Sequence, residues 1–134
     1  MERTSTPRST EERTTDAEHR ALAAAAAAAD KLAHDIVVLD VGDIISITDY
    51  FVIAGGGNTR QVRTIVEAVE ERLHLEAEVG PRAEEGRTEA SWVLLDYGDI
   101  VVHVFLDETR EYYGLDRLWA DAPRVDWDSA NAAS

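Results

Sequence analysis

The chain of 134 residues contains no cysteine, and this absence excludes three kinds of site. There can be no disulfide framework, no thiolate nucleophile and no zinc site with cysteine ligands. Long apolar runs are also missing, because the longest, residues 21–29, is shorter than the ~20 residues that a membrane-spanning helix needs. Residues 1–15 are polar and lack the apolar segment of a signal peptide. We therefore expect a soluble, cytoplasmic protein that does not contact a membrane.

Basic residues are scarce, with 13 Lys and Arg against 27 Asp and Glu, so the formal net charge is −14. Proteins that bind DNA or RNA without sequence preference use several clustered basic side chains to neutralise phosphates. The sequence has no such cluster. The composition therefore predicts no direct DNA binding and little direct contact with RNA, and it favours a protein partner of basic character.

The distribution of apolar residues predicts one folded domain at residues 15–122, after a disordered leader at 1–14 and before a polar tail at 123–134. The order helix, two strands, helix, three strands, helix predicts an α/β sandwich with a mixed five-stranded sheet covered by helices. Strand 99–105 is apolar on both faces and should lie centrally. The predicted helices are 16–34, a helix after an N-cap at Asn58, and a final helical segment through Trp119. The predicted strands form two hairpins, 36–41 with 49–54 and 92–96 with 99–105. Between these hairpins the sequence predicts an edge strand at 76–81 and a loop at 84–86.

Three glycines, Gly55 to Gly57, lie between a predicted strand and a predicted helix, where phosphate-binding loops occur. Counted from Gly55, a dinucleotide-binding loop would need Gly at position 60, and a Walker A loop would need Gly at 60 and Lys at 61, but the residues are Arg60 and Gln61. The segment is therefore interpreted as a turn followed by a helix cap, and no cofactor is expected.

Carboxylates and histidines give no strong catalytic pattern. A glycine pair after a strand also occurs in nucleotidyltransferases, but there an alternating acidic pair follows on the next strand. Here the first such pair downstream, Glu76 and Glu78, comes after an intervening amphipathic helix. His103 interrupts an apolar strand, which a hydrogen bond to a neighbouring carbonyl or carboxylate explains more often than catalysis or a metal does. No nucleophile can be assigned.

Aromatic residues are more informative. Trp92 lies in a predicted strand, and Tyr112, Tyr113 and Trp119 lie in the final segment, which must pack beside the same sheet. Trp and Tyr are enriched in binding hot spots, so these residues indicate a patch for a protein partner. The alternative is that Trp92 and Trp119 belong to the core.

Several stretches together resemble the ribosomal silencing factor family, also called the Iojap family. The likeness covers residues 16–122, and its most specific parts are the W-x-x-x-D-x-G-D-x-x-x-H pattern that begins at Trp92 and the Y-x-L-x-x-L-W pattern that ends at Trp119. The stretches that carry it are residues 49–53, 60–62, 85–86, 92–105 and 110–119.

This resemblance implies a translation repressor that is not an enzyme. The implied fold is nucleotidyltransferase-like without the catalytic carboxylate pair. The implied partner is the large ribosomal subunit, bound through ribosomal protein fourteen of that subunit, and the bound factor would sterically obstruct small-subunit joining. The free protein is expected to be a homodimer. The implied partner-binding residues are Trp92, Asp99, His103, Tyr113 and Leu118.

The alternative from another functional class is a divergent metal-dependent nucleotidyltransferase. Its metal ligands would be Asp49, Asp96 and Asp99, which lie at the ends of predicted strands.

Overall fold

The computed structural model describes residues 10–128, and all elements below belong to that range. In chain order the elements are α1 (Thr10–Asp30), β1 (His34–Asp40), β2 (Tyr50–Gly56), α2 (Thr59–Ala77), β3 (Ala83–Glu85), β4 (Trp92–Asp96), β5 (Ile100–Leu106), α3 (Asp107–Tyr113) and α4 (Leu115–Leu118). The sheet has the order β1-β2-β5-β4-β3, with β2 and β5 parallel and the other neighbours antiparallel. This confirms the predicted mixed five-stranded sheet and both predicted hairpins.

One face of the sheet is covered by α1 and α2. Alanines of α1 are buried there, and their small side chains let the helix backbone come close to its neighbours. The buried stripe of α2 follows the period that the sequence predicts. Its members are Val62, Ile65, Val66, Val69 and Leu73.

The predicted turn and cap at the start of α2 are confirmed. The Asn58 side chain accepts a hydrogen bond from the Gln61 backbone N–H, at 2.8 Å. The Gln61 side chain in turn donates to the carbonyls of Lys31 and Leu32, just after α1. The glycine segment therefore joins β2 to α2, and Gln61, three residues after the cap, connects α2 to the end of α1.

The opposite face carries a smaller apolar cluster, formed with residues that follow β5. This cluster is buried around Phe51, Ile53 and Phe105, and Leu115 of α4 and Trp119 pack against it. The central strand β5 is thus covered on both faces, as its sequence predicts. Beyond β5, however, this second face of the sheet is covered only in part, unlike the face under α1 and α2.

Two boundaries in the first half of the chain differ from the predictions. Helix α1 begins at Thr10 rather than at Asp16, so it includes part of the stretch predicted as a leader, while residues 1–9 lie outside the described part of the chain. It ends at Asp30 rather than at His34, because Leu32 has φ +62° and Ala33 N–H returns to the Ala28 carbonyl. A left-handed residue with such a return bond terminates a helix.

The predicted edge strand at 76–81 is wrong. Helix α2 continues through Ala77 and is closed by Glu78, which has φ +55° and whose N–H donates to the His74 carbonyl. The edge strand is instead β3, in the segment predicted as a loop. All three β3 side chains are exposed, so they carry no apolar alternation by which a strand could be predicted.

The first part of the predicted tail is built into the sheet. The Asp40 N–H donates to the Pro123 carbonyl and the Val125 N–H donates to the Val38 carbonyl, each at 2.8 Å. The Trp127 indole donates to the Ile36 carbonyl at 3.1 Å. Residues 123–127 therefore cover the outer edge of β1, and an unpaired edge would otherwise invite association with other chains. Residues 129–134 lie outside the described range.

Between residues 10 and 128, no helix combines the length and the apolarity that crossing a bilayer requires.

We predict that Trp127→Ala lowers the free energy of unfolding by about 1–3 kcal/mol, because it removes a hydrogen bond to β1 and partly buried ring contacts. Urea denaturation of the purified protein measures this. The matched control is Arg124→Ala, which shortens an exposed side chain in the same segment and should change stability by less than about 0.5 kcal/mol. Equal effects of the two substitutions would contradict the structural role of Trp127.

Candidate functional site

The alternation of β4 divides its side chains between the two faces of the sheet. Val93 and Leu95 are buried under α1 and α2, whereas Trp92 lies on the opposite face, where it is half-buried. Trp92 is paired directly with Phe105 of β5, and Leu94 with His103. The pairing brings an indole, an imidazole and a phenyl ring together on the partly covered face.

An aromatic cluster surrounds Trp92. Its ring stacks on that of Phe105 at a centroid distance of 4.8 Å, and the ring of Tyr113 lies at 5.0 Å. We call this cluster the Trp92 face. Its members are Phe51, Trp92, His103, Phe105, Tyr112 and Tyr113.

His103 is one of the buried members of this cluster and is only 4% exposed. Its Nδ1 atom accepts a hydrogen bond from the Trp92 indole Nε1–H, at 3.1 Å. The neutral ring therefore carries its proton on Nε2, which has no hydrogen-bond partner among residues 10–128. The partner of His103 is an indole and not the expected carbonyl or carboxylate. Burial lowers the pKa of His103 from 6.5 to about 4.

Tyr113 and Tyr112 at the end of α3 form the outer part of the Trp92 face. They are 57% and 80% exposed. Gly114, with φ +61°, turns the chain sharply from α3 into α4. Leu118 of α4 is 72% exposed, and its neighbour Trp119 packs edge-on against Phe51 at 5.5 Å. Tyr113 and Leu118 thus lie on two short helices that border the same side of the sheet.

Asp99 lies apart from the Trp92 face. It precedes β5 at the turn from β4, whereas Trp92 is paired with Phe105 near the other end of β5, about 20 Å along the strand. The Asp99 carboxylate forms an ion pair with Arg20 of α1. Its backbone carbonyl accepts a hydrogen bond from Asp49 N–H at 2.9 Å. The structure therefore brings together Trp92, His103 and Tyr113, and it gives Asp99 contacts that hold α1 and β2.

An ion-pair network that the sequence analysis did not identify fixes α3. Arg110 binds Asp116 through Nε and Nη2, at 3.0 and 2.8 Å, and Nη2 also donates to the Asp35 carbonyl at 2.7 Å. The hydrogen bond from Arg110 lowers the pKa of Asp116. The Nδ1 atom of His34 lies 2.7 Å from Asp107 at the start of α3. These contacts fix the helix that carries Tyr113.

The geometry gives no support to the metal-dependent alternative. Asp96 interacts with Arg82 at 3.3 Å and accepts the Gly98 N–H at 2.8 Å, and Asp99 is paired with Arg20. In the described part of the chain, no group of three or more His, Asp or Glu side chains is placed so that it could hold a metal ion.

Sequence reasoning included Tyr112 in the aromatic patch but missed Phe51 and Phe105 as members of the site. The spacing of His103 and Phe105, two residues apart in one strand, was an available signal, because such residues share a face. Phe51 could be found only from the register of β2 against β5.

We predict that His103 makes the protein less stable as the pH falls. Its pKa is lower in the folded chain than in the unfolded chain, so between about pH 6.5 and 4 the unfolded chain binds the extra proton. The contribution of neutral, buried His103 to the free energy of unfolding is complete above pH 6.5 and is lost towards pH 4. Between these values, the free energy of unfolding changes by at most about 1.4 kcal/mol per pH unit. Denaturation of the wild type and of His103→Leu at several pH values measures the difference. If the free energy of unfolding changes with pH equally in both proteins, the lowered pKa of His103 is contradicted.

Comparison with known proteins agrees with this architecture. A family model described as "Ribosomal silencing factor during starvation" matches residues 14–134. The chain is 45% identical over 105 residues to ribosomal silencing factor RsfS of Bacillus subtilis, covering 78% of this chain and 88% of that protein. It is 39% identical over 89 residues to a mouse protein named "Mitochondrial assembly of ribosomal large subunit protein 1", covering 65% of this chain and 39% of the mouse protein.

A crystal structure of a protein from Chromobacterium violaceum has the same fold, with a TM-score of 0.73 and 35% sequence identity over 77% of this chain and 85% of that one. The family match covers nearly the whole chain, including the segment that seals β1, and sequence and fold agree. The chain belongs to the ribosomal silencing factor family.

Proposed function

We propose that this protein represses translation by binding the large ribosomal subunit through ribosomal protein fourteen and obstructing the small subunit. The observation that carries the proposal is the Trp92 face, an aromatic surface left partly uncovered on a protein with a net charge of −14. Family membership supports the ribosome as the target. The name of the mouse relative, which mentions the ribosomal large subunit, supports that subunit.

The Trp92 face has the properties of a binding anchor. Trp92 and Tyr113 can bury large areas against a partner, and both are fixed on one side by existing ring contacts. Rigid aromatic side chains lose little conformational entropy when they bind, and they dominate the affinity of many interfaces. A partner surface with an apolar pocket for Trp92 would bury the part of the Trp92 face that α3 and α4 leave exposed.

Charge supports a basic protein partner over exposed RNA. An acidic surface is attracted to a basic protein and is repelled by phosphates, so binding to bare RNA is disfavoured. Repression by this route requires no chemical step. A bound domain occupies volume at the subunit interface, and its effect depends on its affinity and on the fraction of large subunits that carry it.

The decisive experiment is sedimentation of the purified protein with separated ribosomal subunits. We expect the protein to sediment with the large subunit and not with the small one, and to lower subunit joining in proportion to its occupancy. Equal binding to both subunits, or normal joining when the large subunit is saturated, would contradict the proposal.

Trp92→Glu in the same assay tests where the interface lies. Trp92 is half-buried, so a glutamate can reach solvent and the fold should persist. Loss of a hot-spot aromatic side chain should weaken binding by about 30-fold or more. The matched control is Leu75→Glu, which places the same charge on α2 at a residue that is 70% exposed and lies outside the Trp92 face. A folded Trp92→Glu protein that binds normally would put the interface elsewhere.

We further propose that the free protein is a homodimer. Support comes from large apolar side chains exposed outside the Trp92 face, because exposed apolar surface marks many interfaces. They include Ile44, Ile47 and Leu118.

Light scattering should give twice the chain mass of 14.8 kDa at micromolar concentration. The mass should fall on dilution if the dimer is reversible. A mass of one chain at the highest concentration would refute the dimer.

A further inference from the structure

We propose that His103 is a positioning residue: its Nδ1 atom holds the Trp92 indole in the orientation in which the partner binds it. The inference rests on the proposed function in one respect, because it takes Trp92 as an anchor for the ribosomal partner. The resemblance implies His103 as a partner-binding residue; the inference gives it instead a role in binding that requires no contact with the partner. At 4% exposure, His103 offers almost no surface to a partner, whereas Trp92 remains half-buried above it.

The contacts around Trp92 restrict it from several directions. The Phe105 ring stacks on the indole with an interplanar angle of 29°, and Tyr113 lies beside it at 49°. Ring contacts of this kind allow some sliding, because they have little directional preference. The hydrogen bond from Nε1 to His103 is directional, so it selects one orientation of the indole plane.

The protonation of His103 supports a role other than stabilising the core. Because Nδ1 is the acceptor, the proton is on Nε2, and this buried donor has no acceptor in the described range. A buried donor without a partner costs more than an ordinary hydrogen bond contributes. An apolar residue at position 103 would avoid that cost and would extend the cluster of Phe51 and Phe105. The histidine is therefore explained by what it does for Trp92 and not by core packing.

Positioning of this kind increases affinity by reducing the entropy that binding must remove. A half-exposed tryptophan without a fixed hydrogen bond samples several orientations, and a partner pocket accepts only some of them. Fixing the indole beforehand removes part of this cost. The size of the effect should match one net hydrogen bond, which corresponds to about a three- to tenfold change in affinity.

Two substitutions separate positioning from stability. His103→Leu removes the acceptor and keeps an apolar side chain of similar size, so binding to the large subunit should weaken about three- to tenfold while stability near neutral pH stays equal or rises. His103→Asn places a carbonyl oxygen near the position of Nδ1, so binding should return to within about twofold of wild type even though the smaller side chain lowers stability. In a Trp92→Phe background, which lacks the donor, His103→Leu should have almost no further effect on binding.

A spectroscopic measurement tests the positioning without the ribosome. Hydrogen exchange of the Trp92 indole N–H, followed by NMR, should be about tenfold faster in His103→Leu than in wild type and should slow again in His103→Asn. The Trp127 indole N–H is an internal control, since its bond to the Ile36 carbonyl is distant from the substitution and its exchange should not change.

The outcomes distinguish the proposals. If the wild type binds the large subunit and His103→Leu binds equally well, or loses binding and stability in parallel, His103 is a structural residue and the inference is wrong. Failure of both His103→Leu and the second apolar variant, His103→Met, to fold would overturn it in the same way. If the wild type itself does not bind the large subunit, the proposed function fails, and the exchange rate of the Trp92 indole alone decides whether His103 positions it.

Discussion

The parallel pairing of β2 with β5 determines how both faces of the sheet must be covered. The two strands lie at the centre of the sheet, and nearly all their side chains are buried on both faces. Each face must therefore be covered. Helices α1 and α2 cover one face with a continuous apolar layer, but the short helices α3 and α4 cover the other only around Phe51 and Phe105. The half-buried position of Trp92 is a consequence of this unequal cover.

This unequal cover also explains why the chain after β5 has many internal polar contacts. A helix of seven residues is too short to be stable through its own hydrogen bonds. Helix α3 has no fully buried residue, so it is held by the bidentate bond of Arg110 to Asp116 and by contacts to the start of β1. Rigid placement of Tyr113 thus depends on ion pairs at the margin of the domain.

The predictions from sequence succeeded where the signal was local. The alternating and doubly buried strands, the helix capped by Asn58 and the hairpin before β5 all have patterns within a few residues. They failed where tertiary contacts decide the structure. Strand β3 has exposed polar side chains, and the segment beyond Pro123 becomes ordered only because β1 offers an unpaired edge.

The candidate site shows the same division. The resemblance placed Trp92, His103 and Tyr113 in one surface, and the structure brings their rings together. It also placed Asp99 there, but the strand register puts Asp99 at the far end of β5, paired with Arg20. The predicted hairpin of strands 92–96 and 99–105 already separates Trp92 from Asp99 along the strands, whereas the ion pair of Asp99 with Arg20 is a tertiary contact that no local pattern indicates.

The charged residues of α3 near the Trp92 face are mostly acidic, like the protein as a whole. The acidic residues and the aromatic residues contribute to binding in different ways. Arg110 is the only basic side chain of α3, and it is used internally to bind Asp116. Within the described range, the exposed acidic residues of α3 that have no such ion pair are Glu108 and Glu111, whereas Asp107 at the start of the helix contacts His34. Exposed charges act at long range and mainly raise the rate of encounter with a basic partner, whereas buried aromatic contacts mainly slow dissociation. Because one short helix carries both acidic residues and Tyr113, the proposed basic partner would be attracted to the helix where the aromatic contacts can form.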